Sequence, residues 1–267
     1  MKFADRYGPW AVIAGASEGT GRAFALQLAA QGVHCILLAR RVAPLTTLAD
    51  EIRARYRVEC VTASVDLAAP DALQGILAAV GEREVGLFIS NAGADPHGAA
   101  FLDLDIQAWL ELVQRNAVTT MQCCHHFANA MRARGHGGLL LVNSGACYGG
   151  ASSMAVYSAS KAFVLCFGET LWAELQPHGV DVLNLVLGRT DTPEFRRLLA
   201  EKGMPVPDNI ASADEVAKIG LERLPHGPVH NWGQADDDAG FAPNSAVARR
   251  ERIRMIDRIS NQIFNRS

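Results

Sequence analysis

Short apolar runs alternate with longer amphipathic stretches along most of this 267-residue chain. Trp10 to Ala14, Val33 to Ala39, Val58 to Ala63, Val85 to Ser90, Leu139 to Asn143 and Val180 to Leu187 are strand-length and mostly apolar. Between them, helical patterns occupy positions near 19–31, 43–56, 70–80, 103–133 and 155–176. Apolar runs without polar alternation suit strands buried on both faces, so the pattern predicts an α/β protein: one domain built on a doubly wound parallel sheet with helices on both faces. In such sheets ligands bind beyond the carboxyl ends of the strands, which directs attention to the residues just after each strand.

After Leu187 the regularity loosens. The segment at about 189–211 reads as a substrate loop, with a helix around 194–202 followed by Gly203-Met204-Pro205-Val206-Pro207. A helix near 212–224 comes next, then a C-terminal extension over about 227–267. There Val247, Ile253, Ile256, Ile259 and Ile263 are spaced among arginines, predicting an added amphipathic C-terminal helix.

Composition fits a folded globule, with 49% hydrophobic and 20% charged residues. Lys and Arg total 25 against 28 Asp and Glu, a formal net charge of -3. No strong basic field exists to recruit phosphate backbones or anionic lipid, so neither nucleic acid nor membrane is expected as a partner. The opening MKFADRYGPW lacks a basic-then-apolar leader pattern, and the six cysteines form no C-x-x-C pair, which together point to a reducing cytoplasm. Cys123, Cys124, His125 and His126 are adjacent, but helical neighbours point about 100° apart and do not converge on one ion. No metal is expected.

The first strand runs into Gly15-Ala16-Ser17-Glu18-Gly19-Thr20-Gly21, and helix follows. Glycines let the backbone turn sharply and approach a pyrophosphate, while exposed N–H groups at a helix start favour an anion. Gly15, Ser17, Glu18, Gly19, Thr20 and Gly21 are therefore candidate dinucleotide contacts. An acidic residue after the second strand would accept hydrogen bonds from a ribose 2′-hydroxyl; this chain has Arg40 and Arg41 there. Arginines match a 2′-phosphate through charge-assisted hydrogen bonds, which predicts NADP(H). Asp66 and Leu67 after the third strand are candidates for the adenine side, and Asn91, Ala92 and Gly93 after the fourth for the ribose side.

Tyr157 and Lys161 lie four apart on a helical segment, so the phenol and the ammonium share a face. Ser144, ending the fifth strand, precedes Tyr157 by 13 residues. With the glycine turn, Asn91-Ala92-Gly93, this serine and Tyr157-x-x-x-Lys161 in this order, the chain closely resembles the short-chain dehydrogenase/reductase family from Trp10 to about Pro193. The resemblance implies a Rossmann fold and a catalytic set of Asn116, Ser144, Tyr157 and Lys161. In it Tyr157 is the general acid or base, and Ser144 orients the substrate oxygen. Lys161 holds the nicotinamide ribose and depresses the tyrosine pKa, and Asn116 supports a water and a proton path to it. It also implies that Gly188, Thr190 and Thr192 hold the carboxamide, although Leu187 replaces the family's usual proline, Ala14 its threonine and Ser90 an asparagine.

The expected reaction is interconversion of a ketone or aldehyde and an alcohol by hydride transfer with NADPH or its oxidised form, the protein supplying orientation and proton delivery. Tyr7-Gly8-Pro9-Trp10 with Arg40 is similar to the branch containing 3-oxoacyl-CoA reductases and hydroxysteroid dehydrogenases. Ala146, Cys147, Tyr148, Met154 and Ala94 to His97 are candidate substrate contacts, mostly apolar. Family resemblance implies a homodimer or homotetramer through 103–131 and 155–175. Two other functions stay open: an NADP(H)-binding sensor or scaffold without turnover, and a nicotinamide-assisted isomerase or epimerase.

Overall fold

The apolar runs become neighbouring strands because each is flanked by helices that cover both of its faces. A computed structural model describes residues 2–208, 210–232 and 258. In chain order the elements are α1 (Phe3–Tyr7), β1 (Trp10–Ala14), α2 (Gly19–Ala30), β2 (His34–Ala39), α3 (Val42–Arg55), β3 (Cys60–Ser64), α4 (Ala72–Val80) and β4 (Val85–Ser90). There follow α5 (Ile106–Val113), α6 (Thr119–Arg134), β5 (Gly137–Ser144), α7 (Ala155–Leu175), β6 (Val180–Leu187), β7 (Thr190–Asp191), α8 (Pro193–Glu201), β8 (Ala211–Ser212), α9 (Ala213–Arg223) and β9 (Val229–Trp232).

Seven strands form one parallel sheet in the order β3-β2-β1-β4-β5-β6-β9. Successive side chains along a strand point to opposite faces. Ala11 and Ile13 accordingly join a core with Phe24, Leu28, Leu45, Leu185 and Leu221, while Val12 and Ala14 join another with Ile76, Phe127, Met131 and Val164. Helices α2, α3 and α9 cover one side and α4, α6 and α7 the other, the doubly wound arrangement expected from the alternation. The strand order reverses beside β1, where β4 takes the edge opposite β2, so the crevice between the ends of β1 and β4 is the natural ligand position.

Two expectations change. The extension expected from about 227 begins inside the sheet, because Val229–Trp232 pairs with Asn184 to Leu187. Its four residues include His230 and Asn231, both buried, and so lack the apolar signature of the other strands. The helix expected over 103–133 is interrupted: a short 3₁₀ turn spans Phe101–Asp103, and a π-helical turn over Gln114–Val118 separates α5 from α6. Within the 189–211 segment, α8 matches the helix expected around 194–202 and is started by Thr192, whose hydroxyl accepts from the Phe195 N–H at 3.2 Å. The predicted C-terminal helix falls outside the described residues.

A clamp at the N-terminus fixes the lower end of the sheet. Asp181, opening β6, accepts from the Tyr7 hydroxyl at 2.6 Å and from Arg6 at 2.7 Å. Burial, then the hydrogen bond to Asp181, pushes the Tyr7 phenol well above its ordinary value, so it is a neutral donor at any physiological pH.

Candidate active site

The first strand delivers the chain into a turn that only small residues fit. Gly15 has φ +88°, and a Cβ there would lie 2.8 Å from the Ala92 nitrogen. At Gly21 a Cβ would collide with the Gly15 carbonyl oxygen. Asn91 braces this turn from the end of β4, its Nδ2 donating to Gly15 O at 2.9 Å and its Oδ1 accepting from the Thr20 hydroxyl at 2.6 Å. Ala92 extends the link, with its N–H donating to Ala14 O at 2.8 Å. Glu18 is the residue preceding α2, but its side chain does not cap the helix. The first-turn N–H groups of α2 are thus left to the concave side of the turn, the arrangement that receives a phosphate.

Glu18 instead holds two arginines. Its carboxylate lies 2.9 Å from Arg41 Nη2 and 2.6 Å from Arg197 Nη2, the latter on α8. Burial works to raise the Glu18 pKa, but hydrogen bonds from Arg197 and Arg41 outweigh it and hold the group below the usual carboxylate value. Ser17 Oγ lies 3.5 Å from the same Arg41 nitrogen. Arg40 is exposed at the end of β2. Asp66 is also exposed, its carboxylate accepting from the Ala68 N–H at 3.0 Å, whereas Leu67 is buried and its carbonyl accepts from Thr119 at 2.9 Å.

At the opposite end of the crevice, β5 and β6 run in register so that Ser144 pairs with Leu187. Gly188 N donates to Trp232 O at 3.1 Å, and Thr190 Oγ1 donates to Gly188 O at 3.4 Å. A Cβ on Gly19 would lie 3.1 Å from Thr192 Cγ2, so the 188–192 segment faces the glycine turn. The sequence-predicted cofactor residues therefore lie at the carboxyl edge of the sheet, on the turns that extend it or in the first turn of α2, apart from Tyr157 and Lys161, which are carried by α7.

Helix α7 carries Tyr157 and Lys161 on adjacent turns, with the ammonium 5.8 Å from the phenol ring centroid. Tyr157 is half-buried, and its hydroxyl is hydrogen-bonded to Ser144. Burial raises the phenol pKa above its ordinary value; the Ser144 hydrogen bond opposes the rise, and the charge of Asp95 adds to it. The depression by Lys161 implied by family resemblance is not what this arrangement produces. Lys161 is buried, donates to Val142 O at 3.1 Å, and is itself pushed down to about 8 by burial. Burial is the leading cause of the shift in both groups.

Asn116 sits in the π-helical turn, a distortion that often marks a functional position. Its Nδ2 donates to Ser160 Oγ at 3.1 Å, while its buried Oδ1 has no partner among the described residues. A Cβ on Gly93 would lie 3.4 Å from that oxygen and 2.8 Å from Lys161 Nζ, so a bare glycine keeps a space open beside both groups. An orphaned acceptor, a glycine-kept cradle and an uncapped helix start are what a dinucleotide with its ordered water would fill.

Pattern reading passed over several residues. Asn143 Nδ2 donates to Lys161 O at 3.1 Å and its Oδ1 accepts from Ser144 N at 2.8 Å, tying α7 to β5. Asn231 is another: it accepts from the hydroxyl of Tyr148, itself a candidate substrate contact, at 2.6 Å and links the turn after Ser144 to β9. Arg197 pairs locally with Glu194, but nothing local signals its contact with Glu18, 179 residues away. Among the described residues no group of His, Cys, Asp and Glu is arranged to hold a metal ion, and no helix is long and apolar enough to cross a membrane.

The short chain dehydrogenase family model matches residues 9–203. The 7beta-hydroxysteroid dehydrogenase of Collinsella aerofaciens is 32% identical over 195 residues, covering 73% of this chain and 74% of that protein. The very-long-chain 3-oxoacyl-CoA reductase of Laccaria bicolor is 33% identical over 227 residues, or 82% of this chain and 66% of the relative. A solved structure described for 7beta-hydroxysteroid dehydrogenase stereoselectivity superposes with a TM-score of 0.86 at 27% identity, covering 96% of this chain and 99% of the other. With the fold and the site's residue order, these matches place the chain in the short-chain dehydrogenase/reductase family of oxidoreductases.

Proposed function

We propose that the protein interconverts a ketone or aldehyde and an alcohol with NADP(H), using Tyr157 as the proton donor and acceptor. The observation that carries this reading is the hydrogen bond between the Tyr157 hydroxyl and Ser144 beside the buried Lys161 ammonium. A carbonyl oxygen entering between the two hydroxyls receives two hydrogen bonds, from Ser144 for orientation and from Tyr157 for protonation. When bound, the nicotinamide supplies or accepts the hydride. Raised by burial, the phenol is protonated at neutral pH, the form needed to neutralise an alkoxide developing during reduction. Lys161 adds positive charge below its pKa of about 8, and Asn116 offers its free Oδ1 to a water on the Lys161 side.

NADP(H) rather than NAD(H) is supported by Arg40 and Arg41 standing where a ribose-binding carboxylate would sit. Gly15, Gly19, Gly21 and the α2 N–H groups would hold the pyrophosphate, and Lys161 the nicotinamide ribose. The substrate side contains buried Ala146 and Cys147 and half-buried Tyr148 and Met154. With relatives named for steroid and long-chain acyl substrates, this favours a bulky apolar carbonyl compound. The test is NADPH oxidation, followed by absorbance, on a panel of cyclic ketones and 3-oxoacyl thioesters. Stoichiometric consumption with one of them is expected; tight NADPH binding without turnover on any would transfer the reading to a sensor, and product formation without net cofactor change to an isomerase.

The same reading makes the active form a homo-oligomer. Leu102, Ile106 and Leu110 are exposed beside a cavity of about 560 Å³ lined by Val113, Met121, Val156 and Phe163, and apolar surface on this scale suits a second copy of the chain. Sedimentation is expected to give two or four chains per particle, and Ile106→Glu to shift it toward the monomer. A wild-type monomer at micromolar concentration would remove this part of the reading.

A further inference from the structure

Arg40 and Arg41 adjoin in sequence, yet the structure uses them differently. Arg41 already has a carboxylate, Glu18, at 2.9 Å. Arg40 has none within ion-pair distance among the described residues. A third arginine, Arg115, stands in the π-helical turn immediately before Asn116 and is half-buried, again with no ion pair among the described residues.

Hydrogen bonds pin the elements carrying Arg40, Asp66 and Arg115 together. Ser64 Oγ donates to Arg40 O at 2.9 Å, and Val65 N donates to Ala39 O at 3.1 Å, hanging the end of β3 on the end of β2. On the other side Thr119 Oγ1 donates to Leu67 O at 2.9 Å and accepts from Gln114 Nε2 at 3.3 Å, which holds the Gln114–Val118 turn against the same end of β3. Burial first, and the like charge of Arg40 second, lower the Arg115 guanidinium from its ordinary value; Asp66, Glu111 and Asp95 act in the opposite sense. Two guanidinium groups held within each other's field, one of them partly desolvated, form an arrangement that a dianion between them relieves.

We infer that Arg115 is a specificity-determining residue for the cofactor's 2′-phosphate, pairing it together with Arg40, while Glu18 occupies Arg41. This rests on the NADP(H) reading above. One distorted turn then serves both ends of the cofactor, Asn116 facing Lys161 and Arg115 facing Arg40. Arg115 acts through charge and fork geometry, which an apolar side chain of similar length does not reproduce and a lysine reproduces in part.

Isothermal titration of the purified full chain with NADP⁺, NAD⁺, adenosine 2′,5′-bisphosphate and AMP tests it without turnover. Arg115→Met is expected to weaken both 2′-phosphorylated ligands by about 10- to 100-fold, the range of a lost charge-assisted hydrogen bond, and to change NAD⁺ and AMP by less than about threefold. Arg115→Lys is expected to fall between, and Arg41→Met to lose less than Arg115→Met. Unchanged binding of the 2′-phosphorylated ligands by Arg115→Met overturns the inference while sparing the NADP(H) reading. Equal losses for NADP⁺ and NAD⁺, with Arg115→Lys no better, overturn it in favour of a purely structural role. A wild-type protein that binds NAD⁺ as tightly as NADP⁺ removes both.

Discussion

Tyr157→Phe is expected to lower kcat by about 10²- to 10⁴-fold, the usual contribution of a positioned general acid, with NADPH affinity and thermal stability close to wild type. The ring and its contacts remain, and only the hydroxyl is lost. Because burial raises the phenol pKa, the wild-type enzyme holds its acid protonated through neutral pH. Reduction is therefore not limited by the phenol at neutral pH; it declines first as Lys161 loses its charge near pH 8 and again as stronger alkali strips the phenol, while the oxidation step, which needs the deprotonated phenol, gains from rising pH. Both limbs assigned to Tyr157 vanish in the variant. Since Ser144 and Tyr157 hydrogen-bond to each other and, in the proposed mechanism, to the same substrate oxygen, Ser144→Ala combined with Tyr157→Phe is expected to lose little more than the worse single variant. Steady-state kinetics in both directions across pH checks all of this. Turnover within a factor of ten of wild type, in a folded variant, would place the acid elsewhere.

Much of this was legible in the residues, for reasons that differ by element. Strands β1 to β6 announce themselves because a parallel strand covered on both faces must be apolar throughout, as Trp10–Ala14 and Val180–Leu187 are. Strand β9 does not, because its four residues are recruited by the open edge of β6 and carry His230 and Asn231 into buried positions. The break between α5 and α6 was equally invisible: the apolar spacing runs through Gln114–Val118, and a π-helical turn changes the backbone hydrogen bonding without changing the pattern. Site residues tied to short spacings, such as Gly15 to Gly21 and Tyr157 to Lys161, were read directly. Those defined by partners far along the chain were not. Arg197 matters through Glu18, Asn231 through Tyr148, and Arg115 through Arg40, and no local motif encodes such pairs.

Lys161 carries the opposite balance of stability and function, and Lys161→Met exposes it. The ammonium is buried and donates to one acceptor among the described residues, Val142 O at 3.1 Å, so charging it in the folded state costs free energy. Its pKa falls from 10.5 to about 8 on folding, which corresponds to about 3 kcal/mol at roughly 1.4 kcal/mol per pKa unit. A folded pKa below the unfolded one means that the unfolded chain binds more protons between pH 8 and 10.5. The wild-type protein therefore gains stability as pH rises through that window and carries the full penalty below it. Methionine keeps the length and the apolar stem without the charge, so Lys161→Met is expected to be more stable than wild type at pH 7 by up to about 3 kcal/mol, and by much less above pH 10.5. Turnover should fall at least as far as in Tyr157→Phe, because the site then loses the ammonium 5.8 Å from the phenol ring and, in the proposed mechanism, its hold on the nicotinamide ribose. Urea unfolding of both proteins at pH 7 and at pH 10.5 reads the difference directly, with groups common to the two cancelling. A variant less stable than wild type at pH 7 would mean that the ammonium is well solvated or paired where it lies, and that its burial exacts no cost for the fold to offset.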